Sequence, residues 1–423
     1  MLSRQVRVLA LVSFGFTLAG TESVHAAIVS GDALEVALEP NDAVNFRENS
    51  FDVFAADALA YDDNIYRLTP GTTDLNSLPG IGLHAKRQDY IDTASLGLDG
   101  TWSRGRQTVA VDLRADVNRY STNKDLNNVS NSDKIKWNWS VGNVLSGQIG
   151  AIYNSGLISF VNSTFYGRSL YAVTSYFATG RYQFGPHWAV FAGGLDSRTT
   201  LSNSASLRAN DLHTKSADFG SELALGVKDS LRLEYRYSDT TSPAGAALNG
   251  DYHEDAGRFA VKHEFSDKTD VNANVGFLKR TYSSTVIPGF SGNVWRLDAH
   301  WQPTDKLRFE AGVWRNLQAY LTAQSDYYVD RGERISPQWA VSEKIAIAVA
   351  FSFENQDYIG VGAGELVQGA RRDSLTSSQA SIKYTPFNFL IFDVGYAYEK
   401  RKSNEFRFQF NDNIISAKVT VKL

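Results

Sequence analysis

The sequence predicts an all-β protein, a transmembrane antiparallel up-and-down barrel of about 18 strands with short turns at one end and longer loops at the other. Three observations carry that expectation. Long segments alternate apolar and polar residues, tight turns alternate with longer polar stretches, and no segment beyond the N-terminus is apolar over the ~20 residues of a spanning helix.

Alternation is clearest in LRLEYRY (231–237), where Leu231, Leu233, Tyr235 and Tyr237 share one face and Arg232, Glu234 and Arg236 the other. The same period runs through Val109, Val111, Leu113, Ala115 and Val117, through Ile345, Ile347, Val349, Phe351 and Phe353, and through Leu390, Phe392, Val394, Tyr396 and Tyr398. Lengths of about 9 to 15 residues exceed those of ordinary globular strands and suit a tilted crossing of a membrane. A soluble sandwich would bury the Leu and Tyr face, whereas a membrane barrel turns it to lipid and the charges to a wet interior. The uniformly long strands and the lack of a blade-length repeat favour the barrel.

The connections support the same choice. Tight turns are expected at SRGR (103–106), VGNV (141–144), FGPH (184–187), VKDS (227–230), FSDKT (265–269), QPTDK (302–306), VSEK (341–344) and TPFN (385–388), mostly rich in Gly, Pro, Asn and Asp. Between them lie longer polar stretches such as 122–133, 242–250 and 360–369. Eight tight turns, the intervening loops and one strand at each end give about 18 strands and place both termini on the periplasmic side of an outer membrane.

At the N-terminus, Arg4 and Arg7, an apolar run from Val8 to Ala19 and the small-residue site Val24-His25-Ala26 read as a cleaved secretory signal over 1–26. Residues 27–50 are polar without a sustained period and read as a periplasmic segment of little structure, and the barrel is expected over 51–423. In the last strand Ile415, Ala417, Val419, Val421 and Leu423 share a face, with Leu423 where an aromatic residue is usual. Trp102, Trp137, Trp139, Trp188, Trp301, Trp339, Tyr384 and Tyr398 fall near expected strand ends, where amphipathic rings suit the interface with outer-membrane lipids.

Composition excludes several functions. With no cysteine there is neither a disulfide framework nor a thiolate metal site. A net charge of −4 is too balanced for a nucleic-acid partner. His84, His187, His213, His253, His263 and His300 accompany no nucleophile motif and have no metal-ligand spacing, so neither catalysis nor a cofactor is expected. Asp62-Asp63-Asn64 lacks the glycine and terminal Glu of a calcium loop and reads as a polar turn.

The inward register selects candidate lumen residues: Asp112, Arg114, Asp116, Arg232, Glu234, Arg236, Arg258, Lys262, Arg296, Asp298, Arg308 and Glu310, with Glu264, Asp393 and Glu399 beside them. Their interleaved signs read as cross-strand ion pairs that stiffen the wall. They also read as a hydrated path whose charged forks bond a passing polar chain. A barrel of this size leaves an aqueous channel, and a long loop can fold into it.

The stretch FDVFAADALAYDDNIYRL (51–68), with LRLEYRYSD (231–239), WQPTDKLRFEAGVWRNL (301–317), SPQWAVSEKIAIAVAFSFENQDY (336–358) and Arg371-Arg372-Asp373, resembles the exosortase-associated exopolysaccharide-biosynthesis outer-membrane proteins of the EpsL type, within the broader β-barrel porin group. The resemblance implies export of a polysaccharide chain, or assistance to it, alongside periplasmic and inner-membrane synthesis machinery. Asp62, Asp63, Asn64 and Arg67 match its most recognisable motif, as sugar ligands or as shapers of the rim. The alternative is a general diffusion porin or small-solute channel without polymer specificity.

Overall fold

The computed structural model describes residues 49–163, 165–202, 211–226, 228–242, 251–284, 288–319, 327–359 and 371–423. The expected signal, nearly all of the N-terminal segment, most of the 242–250 loop and the 360–369 loop lie outside them. Eighteen strands follow one another: β1 (Ser50–Asp62), β2 (Asp89–Arg104), β3 (Gln107–Tyr120), β4 (Asn128–Val141), β5 (Leu145–Leu157) and β6 (Leu170–Phe184). Next come β7 (Trp188–Leu201), β8 (Leu212–Ala224), β9 (Asp229–Thr241), β10 (Tyr252–Ser266), β11 (Thr269–Tyr282) and β12 (Phe290–Thr304). The last six are β13 (Leu307–Ala319), β14 (Tyr327–Ala340), β15 (Ile345–Ile359), β16 (Arg372–Phe387), β17 (Leu390–Ser403) and β18 (Phe410–Lys422).

Each strand pairs antiparallel with its sequence neighbours, and β1 pairs with β18 from Phe54 opposite Lys422 to Asp62 opposite Ile414, so the sheet closes on itself. Closure leaves no unpaired edge. The tight turns fall together at one end, and glycine takes the left-handed conformation they need at Gly105, Gly142, Gly185 and Gly226. The longer connections gather at the other end.

Among the boundaries that differ from the sequence expectation, two are instructive. The polar stretch 122–133 is a loop only as far as Asn127, because Asn128 and Ser130 pair in register with Asn118 and Asp116 of β3. The Asn118 amide also donates to Asn128 and Ser130, so polar side chains here support the ladder. TPFN is the other: β16 continues to Phe387, and the turn sits at 388–389.

Alternation becomes two surfaces. On β9 Leu233, Tyr235 and Tyr237 are 59%, 38% and 43% exposed on the outside, while Glu234 and Arg236 are 6% and 8% exposed on the inside. Around the outside, Leu96, Phe219, Phe259, Phe351, Ile382 and Val394 form an uncovered apolar belt. Trp102, Trp188, Trp301, Trp339 and Tyr384 edge it toward the tight-turn end, and Tyr90, Tyr153, Tyr176, Tyr237 and Tyr396 toward the loop end. An apolar band between two aromatic girdles is a surface made for lipid.

Candidate functional site

The YDDNIYRL element leaves β1 at Asp62 and turns back on the seam of the barrel. Asp62 accepts from the Asn64 backbone N–H at 2.8 Å and from Arg67 at 3.0 Å. Arg67, with φ of 55°, also reaches Asp412 of β18 at 3.0 Å and Glu399 of β17 at 3.4 Å. The Asn64 amide donates to the Leu68 and Asn411 carbonyls, while Asp63 accepts from the backbone and side chain of Asn413. Burial opposes the Arg67 charge, but Asp62, Asp412 and Glu399 more than offset it and raise its pKa. Asp62, Asp63 and Asp412 come close enough together for a metal ion, yet the guanidinium of Arg67 already occupies the position of the cation between two of them. The motif is a clasp that ties β1 to β17 and β18.

Beyond the clasp, residues 63–88 fold with residues 158–163 and 165–169 of the connection from β5 to β6. Ile65, Tyr66, Leu68, Leu126 and Phe160 form a small core, joined by Leu78, Ile81 and Tyr166. The backbones of the two loops meet where the Tyr166 N–H donates to the Pro79 carbonyl at 2.8 Å. Gly80 permits this approach: it has φ of 81°, and a Cβ there would lie 2.4 Å from the Phe165 ring. The Tyr66 hydroxyl donates to Asn123 at 3.1 Å, and burial, then Asp125 and Asp89, pushes it well above the ordinary tyrosine range, so it stays a neutral donor.

The tip of the second loop reaches the far wall. The side-chain amide oxygen of Asn162 accepts from Tyr358 of β15 at 3.2 Å, from Arg371 beside β16 at 3.1 Å and from Arg401 of β17 at 2.7 Å. Strands β15 to β17 lie six to nine places round the cylinder from β5 and β6, so the segment crosses the interior as a strap. Its anchor is dry. Asp373 pairs with Arg371 and, at 3.5 Å, with Arg401, and the three side chains are 0%, 5% and 0% exposed. The Arg371 guanidinium is sandwiched between Phe408 at 3.5 Å and Tyr358 at 4.0 Å.

The twelve candidate lumen residues lie on the face opposite the apolar belt, and several of their ion pairs run along a strand. Arg114 meets Asp116 at 2.9 Å, Glu234 takes both Arg232 and Arg236, Arg296 meets Asp298 at 2.7 Å, and Arg308 meets Glu310 at 2.9 Å. Lys262 meets Glu264 at 3.3 Å, Arg258 stands opposite Glu234, and Asp112 opposite Asp99 and Lys134. Such neighbours two apart share a strand face, a geometry that an expectation of cross-strand ladders overlooks. Cross-strand pairs occur as well, as where Arg280 of β11 meets Glu254 of β10 at 2.7 Å. The Arg308 and Glu310 side chains are 33% and 37% exposed, so this sector is wet where the strap's anchor is dry.

The expectation that a long loop can fold inward named no segment, and Asn162, Tyr358 and Arg401 are absent from the sequence-based candidates. Their only trace in sequence is the Arg371-Arg372-Asp373 triplet, which alternation does not explain.

A protein-family model described as "Putative beta-barrel porin 2" matches residues 234–423. No curated protein matches the chain. Among solved structures, Pseudomonas aeruginosa OpdL is 10% identical over 89% of this chain and 99% of its own, with a TM-score of 0.44. P. aeruginosa OccK2 (OpdF), solved in complex with glucuronate, is 9% identical over 89% and 97%, with a TM-score of 0.47. Acinetobacter baumannii OccAB3 is 8% identical over 89% and 100%, with a TM-score of 0.46. At these identities, what those proteins bind stays with them.

Proposed function

We propose that this protein is an outer-membrane channel for small polar solutes, with no enzymatic activity. The observation that carries the reading is a closed 18-stranded wall, apolar outside and charged inside, whose mouth is narrowed by a strap seated on the opposite wall. The porin family model over 234–423 supports the same reading. A wall of this strand number encloses more space than its own side chains fill, so the wet ion pairs of β12 and β13 line water. Both signs alternate along that path, which suits solutes that exchange hydration for hydrogen bonds and disfavours strong selection of one charge.

Export of a polysaccharide, the expectation from the resemblance to exopolysaccharide proteins, finds no support in the family match or in the described residues. A polymer would have to pass a strap whose tip is bound by two buried arginines. Incorporation into planar bilayers and liposomes tests the reading. Stepwise ohmic conductance with weak ion selectivity, and swelling in small sugars but not in long oligosaccharides, are the expected results. Bilayers that stay closed would defeat it.

A further inference from the structure

On the outside of the barrel, just beyond the apolar belt at the loop end, one sector carries an excess of positive charge. On β15 the outward row Ile347, Val349, Phe351 and Phe353 gives way to Asn355 and Asp357. On β17 Val394, Tyr396 and Tyr398 give way to Lys400 and Lys402. Arg331 of β14 stands in register with Asn355, Asn355 with Ser374 of β16, and Ser374 with Lys402. Arg372 lies one step higher, opposite Asp357. Arg331, Arg372 and Lys402 thereby border an open groove of about 420 Å³ that Asn355, Ser374 and Asn404 also line, with Asp357 at its edge together with Asp373, whose side chain is turned into the barrel wall. One carboxylate serves both arginines, Asp357 lying 3.8 Å from each. Two other arginines of the outer rim do meet an acid, Arg119 meeting Asp92 at 3.8 Å and Arg198 meeting Asp196 at 4.0 Å.

We propose that this groove over β14 to β17 docks the phosphate of a lipid headgroup in the leaflet at the loop end. The proposal rests on the barrel crossing a membrane and is independent of what the lumen passes. Its height decides the source of the phosphate, because acyl chains that cover Phe351, Phe353 and Tyr396 bring their headgroup to the level of Arg331 and Lys402. A guanidinium takes a phosphate through paired N–H donors, and the amides and hydroxyl in the groove satisfy its remaining oxygens. Zwitterionic headgroups carry their own cation and would gain little there.

The test is native mass spectrometry of the full protein in detergent with equal amounts of diphosphorylated lipid A and phosphatidylcholine. Retention of lipid A over phosphatidylcholine is expected, and it should fall at least about tenfold in the triple variant Arg331→Gln, Arg372→Gln, Lys402→Gln, since each basic residue near an anionic surface adds to the attraction. The variant Arg119→Gln, Arg198→Gln, which removes charge from another sector of the rim, should retain lipid A as the wild type does. Arg372→Gln alone, at a side chain 77% exposed and therefore safe for folding, should show a partial loss. Equal retention by all variants, or displacement of the lipid by millimolar inorganic phosphate, would overturn the proposal.

Discussion

Two sectors of one wall use the same chemical pair in opposite ways. Around Asp373 the arginines and the carboxylate are shut away from water under a strap, whereas Arg308 and Glu310 are a third exposed on the inner face of β13. A dry pair must be complete, because an unmatched charge in a low-dielectric site is expensive to keep. A wet pair is optional to the fold, since water replaces whichever partner is lost. The first fixes shape; the second can serve transport.

Mutations that separate these roles test the contrast, beginning with the largest effect. Asp373→Ala leaves Arg371 and Arg401 buried together, and it should cost about 3–5 kcal/mol, read as a lower urea midpoint for loss of the folded band on unheated gels. An equal loss for Asp298→Ala would erase the difference between the sectors.

Across the thickness of the wall the same logic applies. Phe392→Arg or Val349→Arg, on the outer face, should cost about 2–4 kcal/mol near the midplane and reduce insertion into vesicles, while Ala348→Arg should be milder. Comparable effects at Ala348 and Val349 would mean that the inner face of β15 is as dry as the outer.

Asn162→Ala removes an acceptor shared by Tyr358, Arg371 and Arg401, and the unsatisfied donors should cost about 1–3 kcal/mol. Single-channel conductance should rise as the strap loosens. Unchanged conductance together with lower stability would make the strap a brace with no part in narrowing the path. The smallest effect is expected for Arg308→Gln, at about 0–1 kcal/mol, because its pair is wet. It should nevertheless shift reversal potentials toward cation preference, since Glu310 remains.

Much of the wall was legible in LRLEYRY and its counterparts, because a period of two fixes which side chains share a face whatever the strand's neighbours are. Polar extensions such as 128–133 were not, because backbone pairing above the lipid needs no apolar signal. The clasp motif stood out in sequence as Asp62, Asp63, Asn64 and Arg67, but its task did not. The partners Glu399, Asp412 and Asn413 come from the last two strands and become neighbours only when the barrel closes.

By itself, then, the sequence determined the strands, their number and the two-faced wall, since these follow from local alternation and turn chemistry. Only the tertiary structure decided that the connection from β5 to β6, at Asn162, reaches across the interior and that one sector is dry while another is wet. Asn162 meets Tyr358, Arg371 and Arg401 across 196, 209 and 239 residues of chain. No local period encodes such separations; they arise because closing the β1 and β18 seam brings opposite walls within reach of a twelve-residue loop.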